Sequence, residues 1–466
     1  MRKVFIILLI IFSGSSCATY YQSNHTFNEE FEKGELDKAL STLRSHPSEA
    51  AGKKQFLFDV NNGLLLSLKG RYEESNEYFE KAFLYGEDYH INYLNEVGSY
   101  LTNPNFSAYR GEDHEHLILL YFKALNYLKL EKPEDALVEC RRLNLRLQQL
   151  ADRYESNDKF RRDAFINTLM GIIYDSEKDY NNAFIAYRNA LEVYQDDYHR
   201  MFDITPPEQL KSDLLRTAKL SGMDDEFDRY KNEFGLDDYH LPSEERGDLV
   251  FFWHNGLSPV KVEWGINFYI ARRDNYIIFS NPELGLTFPF NMGGYEEKER
   301  SGLSRLEVFR VAFPKYVERP IYFQNATIQL EGEEYPLQLL EDVNKVAFKC
   351  LGERMNLEMS KALIRVALKK LEEYEVKKSD RNLGSILSII NAITEKADTR
   401  NWQTLPHSIF YSRIPLKEGS NTVTFTTTDN QGRSQKHHFT YQAKKGQTHF
   451  HTFSSLESTY PSYGYY

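Results

Sequence analysis

The chain has 466 residues, enough for two to four domains of about 100–200 residues each. Lys and Arg number 57 against 68 Asp and Glu, a net charge of −11, which argues against a general nucleic-acid binder and its basic surplus. Three cysteines exclude a disulfide scaffold or a multi-cysteine zinc or iron–sulfur site, while 32 Tyr and 31 Phe suit packed helical repeats or β-surfaces.

Residues 1–16 read as a signal peptide. Arg2 and Lys3 precede an apolar run from Val4 to Phe12, too short to span a bilayer, and Ser13, Gly14, Ser15 and Ser16 lead to Cys17. A cysteine directly after small residues resembles the lipobox of bacterial lipoproteins, with Gly14 where that pattern prefers an aliphatic residue. The resemblance implies that Cys17 is acylated and becomes the mature N-terminus, a lipid anchor to the membrane. Ala18, Thr19, Tyr20 and Tyr21 follow, without an acidic export signal, so an outer-membrane anchor facing the periplasm is expected.

From Cys17 to about residue 240 the pattern is helical and repetitive. Gly63, Leu66, Gly70, Tyr72, Phe79 and Ala82 fall at offsets that resemble a tetratricopeptide repeat, and Gly171, Tyr174, Tyr180, Ala183, Tyr187 and Ala190 repeat them. A third unit keeps Leu120, Ala124, Tyr127 and Ala136, with Cys140 at an aromatic position. The small residues let two antiparallel helices approach while the aromatics fill the space between them. Units begin near residues 20, 56, 117, 164 and 208, an irregular advance that implies insertions, notably over 87–116. Such a solenoid offers a concave face for a protein partner; alternatively, it is a helical layer supporting the rest of the chain.

From Gly247 the period changes to alternation. Strand-like segments run from Asp248 through Leu330, with turn signals at Asn255-Gly256 and Asn281-Pro282, and resume in residues 421–429 and 437–453. Between them, residues 336–378 carry helical spacing, with Leu340, Val343, Ala347, Cys350 and Leu351 on one face, and a further helix is predicted over 383–396. The expected fold class is α+β: an irregular tetratricopeptide-like α-solenoid over 17–240, then a β-rich, sandwich-like domain over 247–457 with helices near 336–398. Residues 458–466 form a Tyr-rich tail predicted to be disordered.

Segments 109–128, 136–144, 247–265, 310–316, 361–370 and 397–413 occur in an order that resembles a family of uncharacterised bacterial tetratricopeptide lipoproteins of the cell envelope. ADTRNWQTLP, from Ala397 to Pro406, is the most specific part, and Lys361 stands where the family usually has Arg. The resemblance implies an address and an architecture, without a reaction.

Two segments concentrate reactive side chains. Glu112, Asp113, His114, Glu115 and His116 place carboxylates and imidazoles ahead of a helix, the ingredients of a metal or general-base site and equally of a helix N-terminus that docks a domain. Asp398, Arg400 and Trp402 could clamp an anionic ligand or pin a helix to a sheet. His437, His438, His449 and His451 could bring at most three imidazoles together, because neighbours on a strand point to opposite faces. Arg141-Arg142 and Lys369-Lys370 read as solvated helix faces, and Cys140 and Cys350 as buried thiols. No phosphate-binding loop, dinucleotide fingerprint or serine-nucleophile elbow is present, so no catalytic motif can be named and no cofactor or metal is expected. The expectation is a non-enzymatic scaffold or assembly factor; the alternative is an envelope hydrolase or glycan-binding protein with its site near Asp398–Trp402 or Glu112–His116.

Overall fold

The computed structural model describes residues 19–92, 108–151, 160–239, 241, 246–273, 276–291, 308–355, 358–360, 362–363 and 397–458. Cys17, the helix expected over 383–396, and Lys369-Lys370 lie outside them. The chain is a mixed α+β protein with an N-terminal helical region and a C-terminal sheet region.

Short helices α1 (Tyr20–Ser23), α2 (His25–Glu32) and α3 (Leu36–Arg44) lead into three antiparallel hairpins. These are α4 (Gln55–Leu68) with α5 (Tyr72–Asn92), α6 (Asp113–Lys129) with α7 (Pro133–Ala151), and α8 (Ala164–Ser176) with α9 (Tyr180–Val193). A π-helical turn at Tyr194–Tyr198, α10 (His199–Phe202), α11 (Glu208–Leu220) and α12 (Asp224–Glu233) complete the layer, each helix packing mainly on its neighbours in sequence.

The repeated glycine–aromatic offsets act as expected. A Cβ on Gly63 would lie 2.7 Å from the Phe79 ring, and one on Gly171 would lie 2.4 Å from the Tyr187 ring. Glycine is required there because the facing aromatic occupies the space of a side chain. The hairpin turns are also equivalent. Gly70, Glu131 and Lys178 adopt positive φ of 74°, 57° and 63°. In each turn the next N–H bonds back to the last helical turn, from Arg71 to Leu66, Lys132 to Tyr127 and Asp179 to Tyr174.

The strands form three sheets. The first has the order β12 (Thr448–Ser455), β1 (Gly247–Asn255), β9 (Ser408–Leu416) and β8 (Gln338–Asp342); β1 and β12 are parallel and its other pairs antiparallel. The second runs β11 (Ser434–Ala443), β10 (Gly419–Asp429), β6 (Phe323–Leu330), β7 (Glu333–Pro336). The third runs β4 (Leu286–Asn291), β3 (Tyr276–Asn281), β2 (Val260–Arg273), β5 (Val308–Val317).

Alternation along β1 and β9 divides their side chains between two cores. Val250, Phe252, Ile409 and Tyr411 join the helices in one continuous apolar cluster, while Leu249, Phe251, Trp253, Ile414 and Leu416 pack on Ile328, Val423 and Phe425 of the second sheet. Helices, first sheet and second sheet are therefore stacked as three layers. The first helix of each hairpin, α4, α6 and α8, is largely buried, and the sheet and residues 397–407 lie against this inner face. The groove that a helical array would offer a partner there is thus filled by the chain's own C-terminal half.

The segment read as helical from residue 336 is corrected. Residues 338–342 form β8, which pairs with β9, and the helix spans 343–355 (α13). Pairing across the sheet overrides the local helical spacing of Leu340, and the Asp342 carboxylate caps the helix by accepting the Lys345 N–H at 2.9 Å. At the other end, Ser458 forms a bridge with Ile321, so the expected disordered tail does not begin there; residues 459–466 lie outside the description.

Candidate functional site

The two segments singled out in the sequence meet in space. Gly111, with φ of 91°, turns the chain so that Glu112 caps α6, and Glu115 reaches back to accept the Glu112 N–H at 3.0 Å. The same Glu115 carboxylate accepts the Tyr109 hydroxyl at 2.8 Å and the Trp402 backbone N–H at 2.6 Å. Its two oxygens therefore receive three donors, one of them 287 residues away in sequence.

Glu112 faces the buried Lys261 of β2 and the half-buried Arg354 of α13 in an ion triad. Burial alone would raise its pKa, but the Arg354 and Lys261 charges outweigh that and hold the carboxyl well below its usual range. Burial, and then the Glu112 charge, push Glu115 in the opposite direction. Asp113 and His114 occupy the buried first turn of α6, where burial lowers the His114 pKa to about 3. His114 packs edge-on to Tyr316 at 5.9 Å, and the ring of His116 hydrogen-bonds to the Arg110 carbonyl through Nε2 at 2.8 Å.

Residues 397–407 thread between the helices and the sheets as a loop. Arg400 donates to both Asp398 oxygens, at 2.9 and 2.7 Å, and to the Lys53 carbonyl at 3.1 Å, with its guanidinium 5.2 Å from the Tyr109 ring centroid. Trp402 has no exposed surface. It packs against the stacked pair Phe79 and Phe122, at 6.0 and 6.2 Å between centroids, and its indole N–H donates to Thr404 at 2.8 Å. Acid, base and aromatic groups at both segments thus clamp helix α6 and the α3–α4 connection onto the loop. Their chemistry is that of struts.

The C-terminal histidines share a side only in part. His437, His449 and His451 lie in the space between β11 and β12, but aromatic rings interleave with them: Phe439 sits 4.3 Å from His451, and Phe453 sits 4.6 Å from His437. His438 points the other way, to Thr424. Among the described residues no group of three or more His, Cys, Asp or Glu is placed to hold a metal ion. Arg142 corrects the expectation of a solvated helix face: it bridges Glu80 of α5 and Glu139 of its own helix, each at 3.0 Å, while Arg141 donates to the Tyr174 hydroxyl. Cys140 and Cys350 are buried, and burial pushes both thiols up.

Two further clusters each depend on a residue brought in from a distant element. Arg413 of β9 sits among Asp175, Asp213 and Asp248 at 2.9, 3.3 and 3.2 Å, with Arg216 pairing to the first two, and ties α8 and α11 to the sheet. His407 bonds Ser408 through Nδ1 at 2.6 Å and Glu318 through Nε2 at 2.7 Å. Ser408 is buried and belongs to neither of two cavities: a surface groove of about 560 Å³ lined by Met201, Phe202, Lys345, Phe348, Lys349, Gly352 and Glu353, and a much smaller one beside His254.

No family model and no curated protein matches this chain. Among solved structures, the crystal structure of BtubC (BKLC) from P. vanneervenii is similar at 18% identity over 46% of this chain and 79% of that one. Its TM-score is 0.29, too low to transfer fold or function.

Proposed function

We propose that this chain is a lipid-anchored lipoprotein of the bacterial outer membrane, facing the periplasm, whose tetratricopeptide-like helical hairpins act as a non-enzymatic scaffold for a protein partner in cell-envelope maintenance. The observation that carries the non-enzymatic part is that the polar groups of both reactive segments are turned onto one another, most of them buried and the Asp398 carboxylate partly open to water. Glu115 accepts three internal donors, and the Glu112 and Arg400 side chains are held in ion pairs within the fold.

The partner surface on this reading is the outer side of the second helices, since the inner side is covered by the sheet. Leu84 of α5, Val138 and Leu145 of α7 and Ile185 of α9 are exposed there, Leu145 at 57%. Capture from cross-linked cells tests the reading. A partner should be retained by the wild-type chain and lost from a Val138→Glu/Leu145→Glu variant of unchanged melting temperature. Equal retention by both would overturn the assignment of this face. Cys17→Ser should release the protein from the membrane fraction, and unchanged fractionation without an acyl mass on the wild type would remove the anchor.

A further inference from the structure

In the sequence only Ala18 separates Cys17 from Thr19, the first described residue. Thr19 is itself a structural residue: its hydroxyl accepts the Gln22 N–H at 3.2 Å while the Gln22 side chain accepts the Thr19 N–H at 2.8 Å, a closed capping box for α1. The next residue, Tyr20, donates its N–H to Thr399 at 3.1 Å, and Tyr21 is buried against Val260 and Val262 of β2. Residues 19–21 are thus pinned to both halves of the molecule.

Two peptide steps cover at most about 7 Å. If Cys17 carries acyl chains, its backbone sits at the headgroup boundary and Thr19 lies within about one Debye length of it, roughly 8–10 Å. The proposed anchor therefore does more than tether the protein: it dictates which face meets the bilayer. Beside α1 lies the α3–α4 connection, residues 45–54. The Lys54 ammonium is 5.7 Å from the Tyr20 ring, and the Lys53 carbonyl is held by Arg400. This connection is exposed over most of its length and mixes small residues such as Ala50 and Ala51 with the exposed cation Lys53 and with Lys54, which is ion-paired to Glu49. Small side chains permit close approach to a surface, and the exposed Lys53 suits a phosphate headgroup.

We propose that the face formed by α1 and residues 45–54 is apposed to a phospholipid surface, which fixes the orientation of the protein on the membrane. The proposal rests on the lipid-anchor reading of Cys17. It leaves α12, at the far end of the helical layer, away from the bilayer.

The test uses the full lipidated chain reconstituted into vesicles of phosphatidylethanolamine and phosphatidylglycerol. Single labels are placed by Ser23→Cys, Ala51→Cys or Asn232→Cys, all three positions being exposed. A headgroup-borne quencher should reduce emission at residues 23 and 51 at least about twofold more than at 232, since short-range contact needs approach within a few ångströms. Inserting ten Gly/Ser residues between Ala18 and Thr19 adds a coil of roughly 17 Å and should erase that difference. Acyl mass on Cys17 is measured on the same samples. Acylated protein with equal quenching at the three positions, or a difference that survives the insertion, overturns the proposed face alone. Absence of the acyl mass overturns the anchor reading, and this proposal with it.

Discussion

Arg400 holds a buried fork between Asp398 and the Lys53 carbonyl, and Trp402 fills a pocket made by two helices. Arg400→Ala leaves Asp398 without its partner and the Lys53 carbonyl without this donor. Urea unfolding should show a loss of about 2–4 kcal/mol, at or below the range for fully buried pairs because Asp398 retains some contact with water. A stable variant that lost partner capture would instead make Arg400 a recognition residue. A second residue-scale device is the Tyr198 hydroxyl, 2.6 Å from Glu341 and 3.1 Å from Asp163. One hydroxyl hydrogen serves only one of two carboxylates, so the second short contact requires a proton on the pair. Burial raises both carboxyls, and the Asp163 charge raises Glu341 further. The unfolded chain releases that proton above about pH 4–4.5, whereas the folded chain keeps it, so this pair's contribution to stability declines as pH rises from there through its folded pKa. Glu341→Gln, neutral throughout, should gain on the wild type between pH 4.5 and 8 when urea midpoints are compared. Parallel curves would show that the pair carries no shared proton. The candidate residues themselves were legible as concentrations of charge at Glu112–Glu115 and Asp398–Trp402. Their mutual contact was not, because it closes over hundreds of residues.

At the scale of elements, the helical hairpins rest on local rules. Gly171→Leu would drive side-chain atoms into the Tyr187 ring and should cost about 1–3 kcal/mol or more through overpacking, read as faster limited proteolysis. Resistance equal to wild type would mean that the α8–α9 contact can open without cost. The turn equivalents of Gly70 are Glu131 and Lys178, non-glycine residues held at positive φ. Glu131→Gly relieves that strain at an exposed position and should raise stability by up to about 1 kcal/mol, the left-handed penalty less the added freedom of the unfolded chain. Thermal unfolding of the variant checks this, and a lowered melting temperature would show that entropy outweighs strain. The opposite case is β8, where helical spacing read through residue 340 and an edge pairing with β9 decided the conformation.

At the scale of the whole molecule, the helical layer and the first sheet share one apolar cluster that runs from Phe27 to Tyr411. Tyr121 of α6 hydrogen-bonds His254 of β1 at 2.8 Å, Tyr194 bonds the Leu340 carbonyl at 2.8 Å, and the Arg413 network adds charge across the same boundary. Loss of helical circular dichroism and the change in fluorescence of Trp253, Trp264 and Trp402 should therefore coincide in urea. Two separated transitions would show that the shared cluster does not couple the halves. The order of segments, helical hairpins followed by strands, was determined by the sequence alone, because the Gly63–Phe79 and Gly171–Tyr187 spacings and the alternation in β1 and β10 act between residues close in the chain. Only the tertiary structure decided which face of the helices is covered, where β8 pairs, and that Glu115 receives the Trp402 N–H. Those choices depend on burying apolar faces and pairing buried charges between residues far apart in sequence, and no local period records them.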